Sequence, residues 1–348
     1  MKAAVFSGIG KIEPREVERP KIGDNDVLLK VGAGTMCGTD LKIFGNGHFK
    51  IKEGQELILG HEFAGEIAEI GRNVSGYRKG QRVAVGPNVG CGTCRYCRMG
   101  KTHLCPDYEA FGISRDGAFA EYVLIHDKAI QQSNLVPMAD GVSFEEAALA
   151  EPLSCCYNAY RSVDTRAGDK VLIIGLGPMG ILHLQLQKLA GAGTVMVADI
   201  SDTRLGMAEA YGPDVLINSS QEDLEKAVMR HTDGIGADVI ITAVPVPAVQ
   251  QQSVRMAARL GRINLFGGMP KGKELVEINT NLIHYNGIVL TGTTGASLED
   301  YERALRLIEQ GKIEVKSLIT KRFPVEDIKA AFEYAGSGQG LKTLIETK

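Results

Sequence analysis

The sequence predicts an α/β protein of two domains, one rich in β-strands and one built on a parallel sheet. The chain has 348 residues, about twice a typical domain length of roughly 150 residues. Roughly its first 130 residues are short apolar segments separated by glycine-rich turns, a pattern typical of strands. Between Gly168 and Gly268 such segments alternate with helical patterns, which indicates crossover connections and a parallel sheet.

The predicted N-terminal strands are rich in valine, isoleucine, phenylalanine and alanine. They are Lys2–Phe6, Val27–Val31, Phe63–Ile70, Arg82–Val85 and Phe119–Ile125. Glycine accounts for 42 of the 348 residues, about 12% where roughly 7% is usual. This excess predicts many tight turns, and places where backbone approaches backbone or a ligand.

The predicted central strands are apolar at successive positions, as expected of strands covered on both faces. They are Lys170–Ile174, Thr194–Asp199, Val215–Asn218, Asp238–Ala243 and Arg262–Phe266.

Two helices are predicted near the C-terminus. Ser297 is a good N-cap with Asp300 three residues later, and apolar residues recur at helical spacing until Gly311. A second helix is predicted around Val325–Tyr334. Neither carries an obvious chemical group, so we expect both to pack against the N-terminal unit.

The charge pattern argues against nucleic acid as a partner. Lysine and arginine number 39 against 42 acidic residues, a net charge of −3, with no block of five like charges. Aromatic residues are 6% of the chain and tryptophan is absent, which also disfavours base stacking. No apolar segment is long enough to span a membrane or to serve as a secretory signal, so we expect a cytoplasmic protein without a membrane partner.

Four of the seven cysteines are clustered, which indicates a metal site rather than a disulfide framework. Their spacing is C-x2-C-x2-C-x7-C, and they are Cys91, Cys94, Cys97 and Cys105. Four soft ligands within fifteen residues suit a closed tetrahedral zinc site of the structural kind. An iron–sulfur cluster and a nucleic-acid-binding zinc knuckle remain alternatives, although ferredoxin runs place three residues, not seven, before the last cysteine.

A dinucleotide fingerprint lies between a predicted strand and a predicted helix. The motif G-x-G-x-x-G comprises Gly175, Gly177, Pro178, Met179 and Gly180. In this context the glycines permit the tight turn, admit the pyrophosphate and allow helix and strand to pack closely, while the helix N-terminus offers N–H groups to phosphate. A strand–turn–helix that binds nothing is the alternative.

The residue that ends the next strand favours NAD over NADP. Asp199 follows Gly180 by 19 residues, the place from which a carboxylate accepts hydrogen bonds from the ribose hydroxyls. A 2′-phosphate there would meet a like charge. Arg204 is close enough in sequence to complicate this choice.

The remaining candidates for chemistry are Cys37, the pair His61 and Glu62, and Glu151, which share no local spacing. Their order and surroundings resemble those of the zinc-dependent medium-chain dehydrogenases. GHEFAGEIAEIG is similar to the zinc signature of that family, CGTD precedes it, the four-cysteine segment follows, and EPLS leads into GLGPMG. The resemblance covers essentially the whole chain.

The resemblance implies a GroES-like catalytic domain interrupted by a Rossmann domain with a doubly wound parallel sheet. We expect the catalytic domain in residues 1–152, with a structural-zinc lobe at about 88–107. The NAD-binding domain is expected in 153–285, and 286–348 should return to complete the catalytic domain.

The resemblance also implies a catalytic zinc at Cys37 and His61, with Glu62 and Glu151 as the carboxylates of the site. Neighbouring residues of a regular strand point to opposite faces, so His61 and Glu62 can both reach one metal only from a turn or a bulge. We therefore expect one of Glu62 and Glu151 to bind directly, and the other through water or not at all.

A glutamate at position 151 resembles the polyol, sugar-alcohol and threonine dehydrogenase branches of the family, which have a glutamate there. The segment EPLS most resembles the sorbitol dehydrogenase branch. Many relatives have a histidine five positions after the zinc-binding cysteine, where this chain has Lys42. That departure disfavours threonine as the substrate and leaves the proton path to Thr39 and metal-bound water, assisted by Glu151. Lys42 is either solvated or a contact for an anionic group such as a phosphate.

The resemblance thus implies a zinc-dependent oxidoreductase with two zinc ions per chain that transfers hydride between NAD and a secondary alcohol of a polyol or sugar alcohol. L-threonine, or a short-chain secondary alcohol or diol, is the alternative substrate. A zinc- and NAD-binding regulatory protein is the non-enzyme alternative. Relatives form dimers or tetramers through an edge strand, for which Arg262–Phe266 is the candidate here.

Overall fold

The computed structural model describes residues 1–347. The chain forms two compact units. The first comprises Met1–Ser154 together with the chain from Ala296 onward, and the second is Cys155–Gly295. None of the helices in the described part of the chain is both long and apolar enough to cross a membrane.

The N-terminal part of the first unit consists mainly of antiparallel strands. The strands are β1 (Lys2–Gly8), β2 (Lys11–Glu16), β3 (Val27–Thr35), β4 (Leu57–Ile58), β5 (Glu62–Ile70), β6 (Arg82–Val85), β7 (Asn88–Val89), β8 (Glu109–Ala110), β9 (Tyr122–Ile125) and β10 (Leu135–Pro137). The helices that begin in this part are α1 (Gly38–Asn46), α2 (Arg95–Arg98), α3 (Asp127–Gln131), α4 (Phe144–Ala148) and α5 (Ala150–Val163), with a 3-10 turn at Thr102–Leu104.

The second unit is a parallel sheet with helices in its crossover connections. Its strands are β11 (Lys170–Ile174), β12 (Thr194–Asp199), β13 (Val215–Asn218), β14 (Ala237–Thr242), β15 (Ala257–Leu265) and β16 (Val289–Gly292). Its helices are α6 (Pro178–Leu189), α7 (Asp202–Glu209), α8 (Leu224–His231), α9 (Pro247–Met256) and α10 (Thr280–Asn286). The strand order is β13-β12-β11-β14-β15-β16, the doubly wound arrangement of dinucleotide-binding sheets.

The chain then returns to the first unit. It forms α11 (Leu298–Glu309), β17 (Ile319–Pro324), α12 (Ile328–Ser337) and β18 (Lys342–Glu346), with 3-10 turns at Lys316–Leu318 and Val325–Asp327. Strand β18 pairs antiparallel with β3 and parallel with β17, which completes the sheet β10-β6-β5-β3-β18-β17, and β9 also pairs with β3. The first and last parts of the chain therefore share one sheet.

The architecture confirms the predicted fold class. Both faces of the parallel sheet are buried: residues such as Leu172 and Ile240 pack on one face, and Val171 and Val239 on the other. The predicted capping box at Ser297 is present, because its hydroxyl accepts from the Asp300 N–H and the Asp300 carboxylate accepts from the Ser297 N–H.

Two expectations about the second unit are wrong. Arg262–Phe266 is not an edge strand, because β15 pairs with β14 on one side and with β16 on the other. The edge is β16 itself. The unit also extends beyond residue 285, to Gly295, because β16 follows that boundary and completes the sheet.

Candidate active site and metal centres

Three of the four side chains predicted for the catalytic metal converge in the first unit. Cys37 follows strand β3 and caps helix α1, while His61 and Glu62 stand at the start of β5. One ligand atom from each of Cys37, His61 and Glu62 lies within 4.8 Å of the others. Strands β3 and β5 pair so that Thr35 is opposite Glu62, which places the end of one strand beside the beginning of the other.

A glycine turn allows His61 and Glu62 to reach the same point. Gly60 has φ 94°, in the region that glycine adopts readily and other residues rarely do. A Cβ at this position would lie 2.6 Å from the Phe119 ring, so both the conformation and the space require glycine. His61 precedes the regular strand, as the alternation of strand side chains demands.

Asp40 orients the cysteine and the histidine together. It is fully buried in α1, and its carboxylate accepts from the backbone N–H of Cys37 at 2.8 Å and of Gly60 at 3.3 Å. Its other contact is with His61, whose Nδ1 lies 3.5 Å from Asp40 Oδ1. His61 Nδ1 makes no hydrogen bond within the described residues, but a carboxylate this close favours a proton on Nδ1. That tautomer leaves Nε2 as the nitrogen available to a metal, as behind many ligating histidines.

The charges around His61 favour its protonated form in the absence of a metal. Burial lowers the pKa of His61, but the neighbouring Asp40 carboxylate and then the Cys37 side chain outweigh burial and raise this pKa well above its usual value. The same negative charges would attract a metal cation. Metal binding at this point must therefore displace a proton from the imidazole.

Glu62 is held by a buried cation from the end of the chain. Its carboxylate accepts from Thr35 Oγ1 and from Lys342 Nζ, which lies on β18 and also donates to the Met36 carbonyl at 3.3 Å. Burial lowers the pKa of Lys342, but the neighbouring carboxylate of Glu62 outweighs burial and raises this pKa. Because an ionised carboxylate has lone pairs beyond the two used here, Glu62 is still able to bind a metal.

Glu151 lies apart from this group. It stands in the first turn of α5, is 8% exposed, and is not among the grouped ligands. Its side chain lines a small cavity together with Ser154, Asn134 and Tyr301. The Glu151 carboxylate also contributes to raising the pKa of Lys342, so it is within electrostatic range of the Glu62 pair.

The two other predicted residues of α1 differ in their surroundings. Thr39 Oγ1 is 3.8 Å from Cys37 Sγ, so it lies beside the metal group. Lys42 is exposed, as expected of a solvated lysine.

The four clustered cysteines form a second group, whose sulfurs lie within 4.8 Å of one another. Cys91 Sγ and Cys97 Sγ are 3.9 Å apart, and Cys94 Sγ and Cys97 Sγ 3.5 Å. A zinc ion in a sulfur tetrahedron with bonds of about 2.3 Å places the sulfurs about 3.8 Å apart, so the spacing fits zinc. Hydrogen bonds from the hydroxyl and then from the backbone of Thr93 lower the pKa of Cys91 to about 6. The lower pKa favours the thiolate, which is the form that binds a metal.

The fingerprint in the second unit has the backbone geometry that its glycines predicted. Gly175 directly follows β11 and has φ 100°, Gly177 caps α6, and Pro178 occupies the first turn of α6. A Cβ on Gly180 would lie 1.9 Å from the Gly175 carbonyl oxygen, so only glycine permits this packing. The Met179 carbonyl accepts from Cys156 Sγ at 3.6 Å, which fixes the first turn of α6.

The acidic residue predicted for the ribose is prepositioned by the same loop. Asp199 ends β12, and its carboxylate accepts from the Leu176 N–H at 2.7 Å and from the Ser201 N–H at 3.0 Å. Arg204 lies beside it, because its guanidinium donates to the Leu176 carbonyl at 3.3 Å and is 3.5 Å from a Cβ built on Gly177. An acidic and a basic group therefore stand together at the nucleotide end of the sheet.

Sequence reasoning missed three residues that hold the metal group: Asp40, Thr35 and Lys342. For Asp40 a local signal exists, since a cysteine followed three residues later by an aspartate at a helix start has the spacing of a capping box. No such signal marks Lys342, which is 280 residues from its partner Glu62.

The donor atoms define the class of protein. Sulfur, imidazole and carboxylate around one point suit a catalytic zinc, and the fingerprint suits a nicotinamide dinucleotide. A chain that holds both is a zinc-dependent oxidoreductase with a nucleotide coenzyme.

Comparison with known proteins gives the family. Residues 23–137 match the alcohol dehydrogenase GroES-like domain and 178–310 match the zinc-binding dehydrogenase domain. The chain is 36% identical to an L-threonine 3-dehydrogenase of Symbiobacterium thermophilum, over 95% of this chain and 93% of that protein. It is 32% identical to a sorbitol dehydrogenase of Halalkalibacterium halodurans, over 99% of each.

A solved structure supports the same family assignment. A zinc-binding dehydrogenase from Sinorhizobium meliloti 1021 bound to NADP superimposes with a TM-score of 0.91 at 32% identity, covering 99% of this chain and 98% of that one. The chain belongs to the zinc-dependent medium-chain dehydrogenases, as its motifs predicted. It is an oxidoreductase acting on the CH–OH group of an alcohol, which sets aside the regulatory-protein alternative.

Proposed function

We propose that the chain is an NAD-dependent dehydrogenase that oxidises a secondary alcohol of a polyol or sugar alcohol to the ketone, reversibly. The observation that carries the proposal is the convergence of Cys37, His61 and Glu62 within 4.8 Å, in a chain that also has a dinucleotide fingerprint. Polar, charged groups around the metal suit a hydroxylated substrate. Membership of the family supports the reaction class.

In this proposal Cys37 and His61 hold the catalytic zinc with one carboxylate, and Thr39 assists proton transfer. Zinc bound there supplies a Lewis acid that lowers the pKa of a substrate hydroxyl. Asp40 keeps His61 in the tautomer with Nε2 free, and Lys342 with Thr35 fixes Glu62. The remaining carboxylate, Glu151, completes or supports the ligand set.

The four-cysteine group is proposed to hold the structural zinc. Since the sulfur tetrahedron has no side chain of another kind in it, it leaves no open position for a substrate.

NAD is the proposed coenzyme because Asp199 is fixed by two backbone N–H groups at the end of β12. A 2′-phosphate would have to approach this carboxylate. Arg204 is the group that favours NADP, and one similar structure is bound to NADP. Comparing kcat/KM for the two coenzymes tests the proposal, which is wrong if NADP is the better one.

L-Threonine is the second candidate substrate. The observation that favours it is the 36% identity to an L-threonine 3-dehydrogenase, higher than the 32% to the sorbitol dehydrogenase. Lys42, where many relatives have a histidine, argues the other way. Its exposure does not support a buried phosphate contact.

Initial rates with a panel of alcohols test the substrate class. Sorbitol, xylitol, a phosphorylated hexitol, L-threonine and 2,3-butanediol would be compared with NAD under identical conditions. We expect a polyol to give the highest kcat/KM. If L-threonine is best, the weight given to EPLS and Lys42 is wrong, and if no alcohol is oxidised, the proposed function is wrong.

Place of action and assembly are part of the same proposal. None of the seven cysteines forms a disulfide, which is typical of a reducing compartment, and we place the enzyme in the cytoplasm. We expect a homo-oligomer, a tetramer or a dimer, formed through the unpaired edge of β16, because an open strand edge favours pairing.

A further inference from the structure

A small cavity lies beside Glu151 in the first unit. Its volume is about 10 Å³, which is close to what one water molecule needs. Polar and apolar atoms line it about equally, and the lining residues include Asn134, Glu151, Ser154 and Tyr301. The side-chain amide of Asn134 already has hydrogen-bond partners, because its Nδ2 donates to the carbonyls of Gly86 and Asn88.

Tyr301 is a polar group of this cavity whose hydroxyl proton has no acceptor. Its side chain is 2% exposed, and among the described residues its hydroxyl makes no hydrogen bond of ordinary distance and angle. The Val85 N–H near its oxygen is a donor and so cannot accept the proton. A buried hydroxyl without a partner costs about 1–3 kcal/mol. Such a group therefore needs either a water or a functional contact.

The packing around Tyr301 encloses its side chain. The residue stands in the first turn of α11, directly after the Ser297–Asp300 capping box. The Tyr301 ring faces Gly86, since a Cβ on Gly86 would be 3.7 Å from the ring and 3.3 Å from Leu298. With only 2% of the residue exposed, the side chain is enclosed beside the loop at Gly86.

The electrostatic surroundings keep Tyr301 protonated. Burial, and then the nearby Glu151 carboxylate, raise the pKa of Tyr301 well above its usual value, against a smaller opposing effect of the Val85 N–H. The hydroxyl is consequently a donor at all ordinary pH values. The strongest acceptor in the cavity is the carboxylate of Glu151.

We propose that Tyr301 is a positioning residue for Glu151. Its hydroxyl donates through one water in this cavity to the Glu151 carboxylate, and so fixes the orientation in which Glu151 faces the catalytic metal. The inference depends on the proposed function in one respect, namely that Glu151 serves the catalytic zinc. The alternative is that Tyr301 only fills space between α11 and the loop at Gly86.

Four variants in the holoenzyme test the inference: Tyr301→Phe, Glu151→Gln, the double variant, and Tyr77→Phe as the control. Tyr77 is also partly buried in the first unit, and its hydroxyl donates to the Leu135 carbonyl at 3.0 Å, away from the metal group. Each variant is prepared with zinc for kinetics and with cobalt in place of the catalytic zinc. The visible cobalt absorption reports on the ligand geometry without any turnover.

We expect Tyr301→Phe to lower kcat about tenfold, the lower end of the effects seen when support of a metal site is removed. KM for NAD and the melting temperature should stay nearly unchanged, and the cobalt absorption should shift. In the Glu151→Gln background the same substitution should change kcat less than twofold and leave the cobalt absorption as it was. Tyr77→Phe should leave both readouts unchanged.

Two results would overturn the inference in distinguishable ways. If Glu151→Gln lowers kcat and shifts the cobalt absorption while Tyr301→Phe does neither, or acts equally in both backgrounds, Tyr301 has a space-filling role only. If Glu151→Gln itself leaves kcat and the cobalt absorption unchanged, the assignment of Glu151 fails, and the inference fails with it.

Discussion

At the scale of single residues, one carboxylate positions two of the candidate metal ligands. Asp40 accepts from the backbone of Cys37 and lies 3.5 Å from His61 Nδ1. It therefore controls a sulfur and an imidazole at once. Replacing it affects the metal group without removing any ligand.

We expect Asp40→Asn to weaken zinc binding at the catalytic group by 10- to 100-fold, the usual cost of removing such support. The amide is uncharged and has an acceptor on one side only. His61 therefore loses the neighbouring negative charge, and either the Cys37 N–H or the Gly60 N–H loses its acceptor. Zinc content after dialysis against a weak chelator should fall from two per chain toward one. Asp300→Asn, which disturbs a similar capping box on α11, should retain both ions; equal losses in the two variants would refute the role of Asp40.

His183 is a buried histidine whose position makes stability depend on pH. It is fully buried, neither ring nitrogen has a hydrogen-bond partner among the described residues, and its ring packs edge-on against Phe266 at 4.6 Å. Burial lowers its pKa to about 3. Between about pH 6.5 and 3 the unfolded chain therefore binds a proton that the folded chain does not, and stability falls as the pH falls through this range.

The substitution His183→Leu should remove this part of the acid sensitivity. At pH 5 the penalty amounts to about 2 kcal/mol at most, so the loss of unfolding free energy between pH 7.5 and pH 5 should be smaller in the variant by up to that amount. Urea unfolding at both pH values measures it, and any constant packing effect cancels in the difference. His231→Gln, in the last turn of α8 and exposed, is the control and should behave as the parent.

At the scale of elements, the two metal groups depend on different supports. The four-cysteine segment consists of the short helix α2, one 3-10 turn and loops, so little besides a metal cross-links it. The catalytic group stands at the ends of β3 and β5, which pair along most of their length. Loss of the metal should therefore unfold the first segment and leave the second folded.

We expect Cys91→Ser to lower the melting temperature by several degrees and to remove one zinc per chain, because a closed structural site contributes directly to folding. Cys37→Ser should abolish turnover, lose the other zinc and leave the melting temperature within about 2 °C, a change of at most about 1.5 kcal/mol. Calorimetry and metal analysis on the two variants give both values. The reverse pattern would mean that the two sites were assigned the wrong way round.

The sequence predicted the strands that have long apolar runs and missed a short one. The strands of the parallel sheet are continuous apolar runs, and Thr194–Asp199 and Val215–Asn218 have their predicted bounds. Strand β16 was missed because its apolar run, residues 288–290, is only three residues long and Val289–Gly292 is partly exposed at the sheet edge. Because β16 was not predicted, Arg262–Phe266 was expected at the sheet edge and the end of the second domain was expected at residue 285.

At the scale of the whole molecule, the local part of each site was predictable and the distant part was not. The cysteine spacing and the glycine fingerprint lie within single short segments, so their chemistry could be inferred from the residues alone. The catalytic group was found only through a family resemblance, since its predicted members range from Cys37 to Glu151 with no common spacing. Its cation, Lys342, arrives with the returning strand β18, and no local pattern marks it.

The Glu62–Lys342 pair therefore connects the two ends of the first unit, and its energy can be measured. Both side chains are almost fully buried, and removing one partner leaves an uncompensated charge. We expect Lys342→Met to lower the free energy of unfolding by about 3–5 kcal/mol, and Glu62→Gln with Lys342→Met to recover most of that loss. Lys321→Met on β17, an exposed lysine, is the matched control and should have little effect.

A metal ion near Glu62 would supply part of the positive charge that Lys342→Met removes. The loss measured by urea unfolding should consequently be larger after treatment with a chelator than in zinc-loaded protein, once the effect of the chelator on the parent chain is subtracted. An equal loss in both conditions would show that Glu62 does not interact with the catalytic metal. That result would leave Cys37 and His61 as the ligands on this side of the site, and would favour Glu151 as the carboxylate that binds directly.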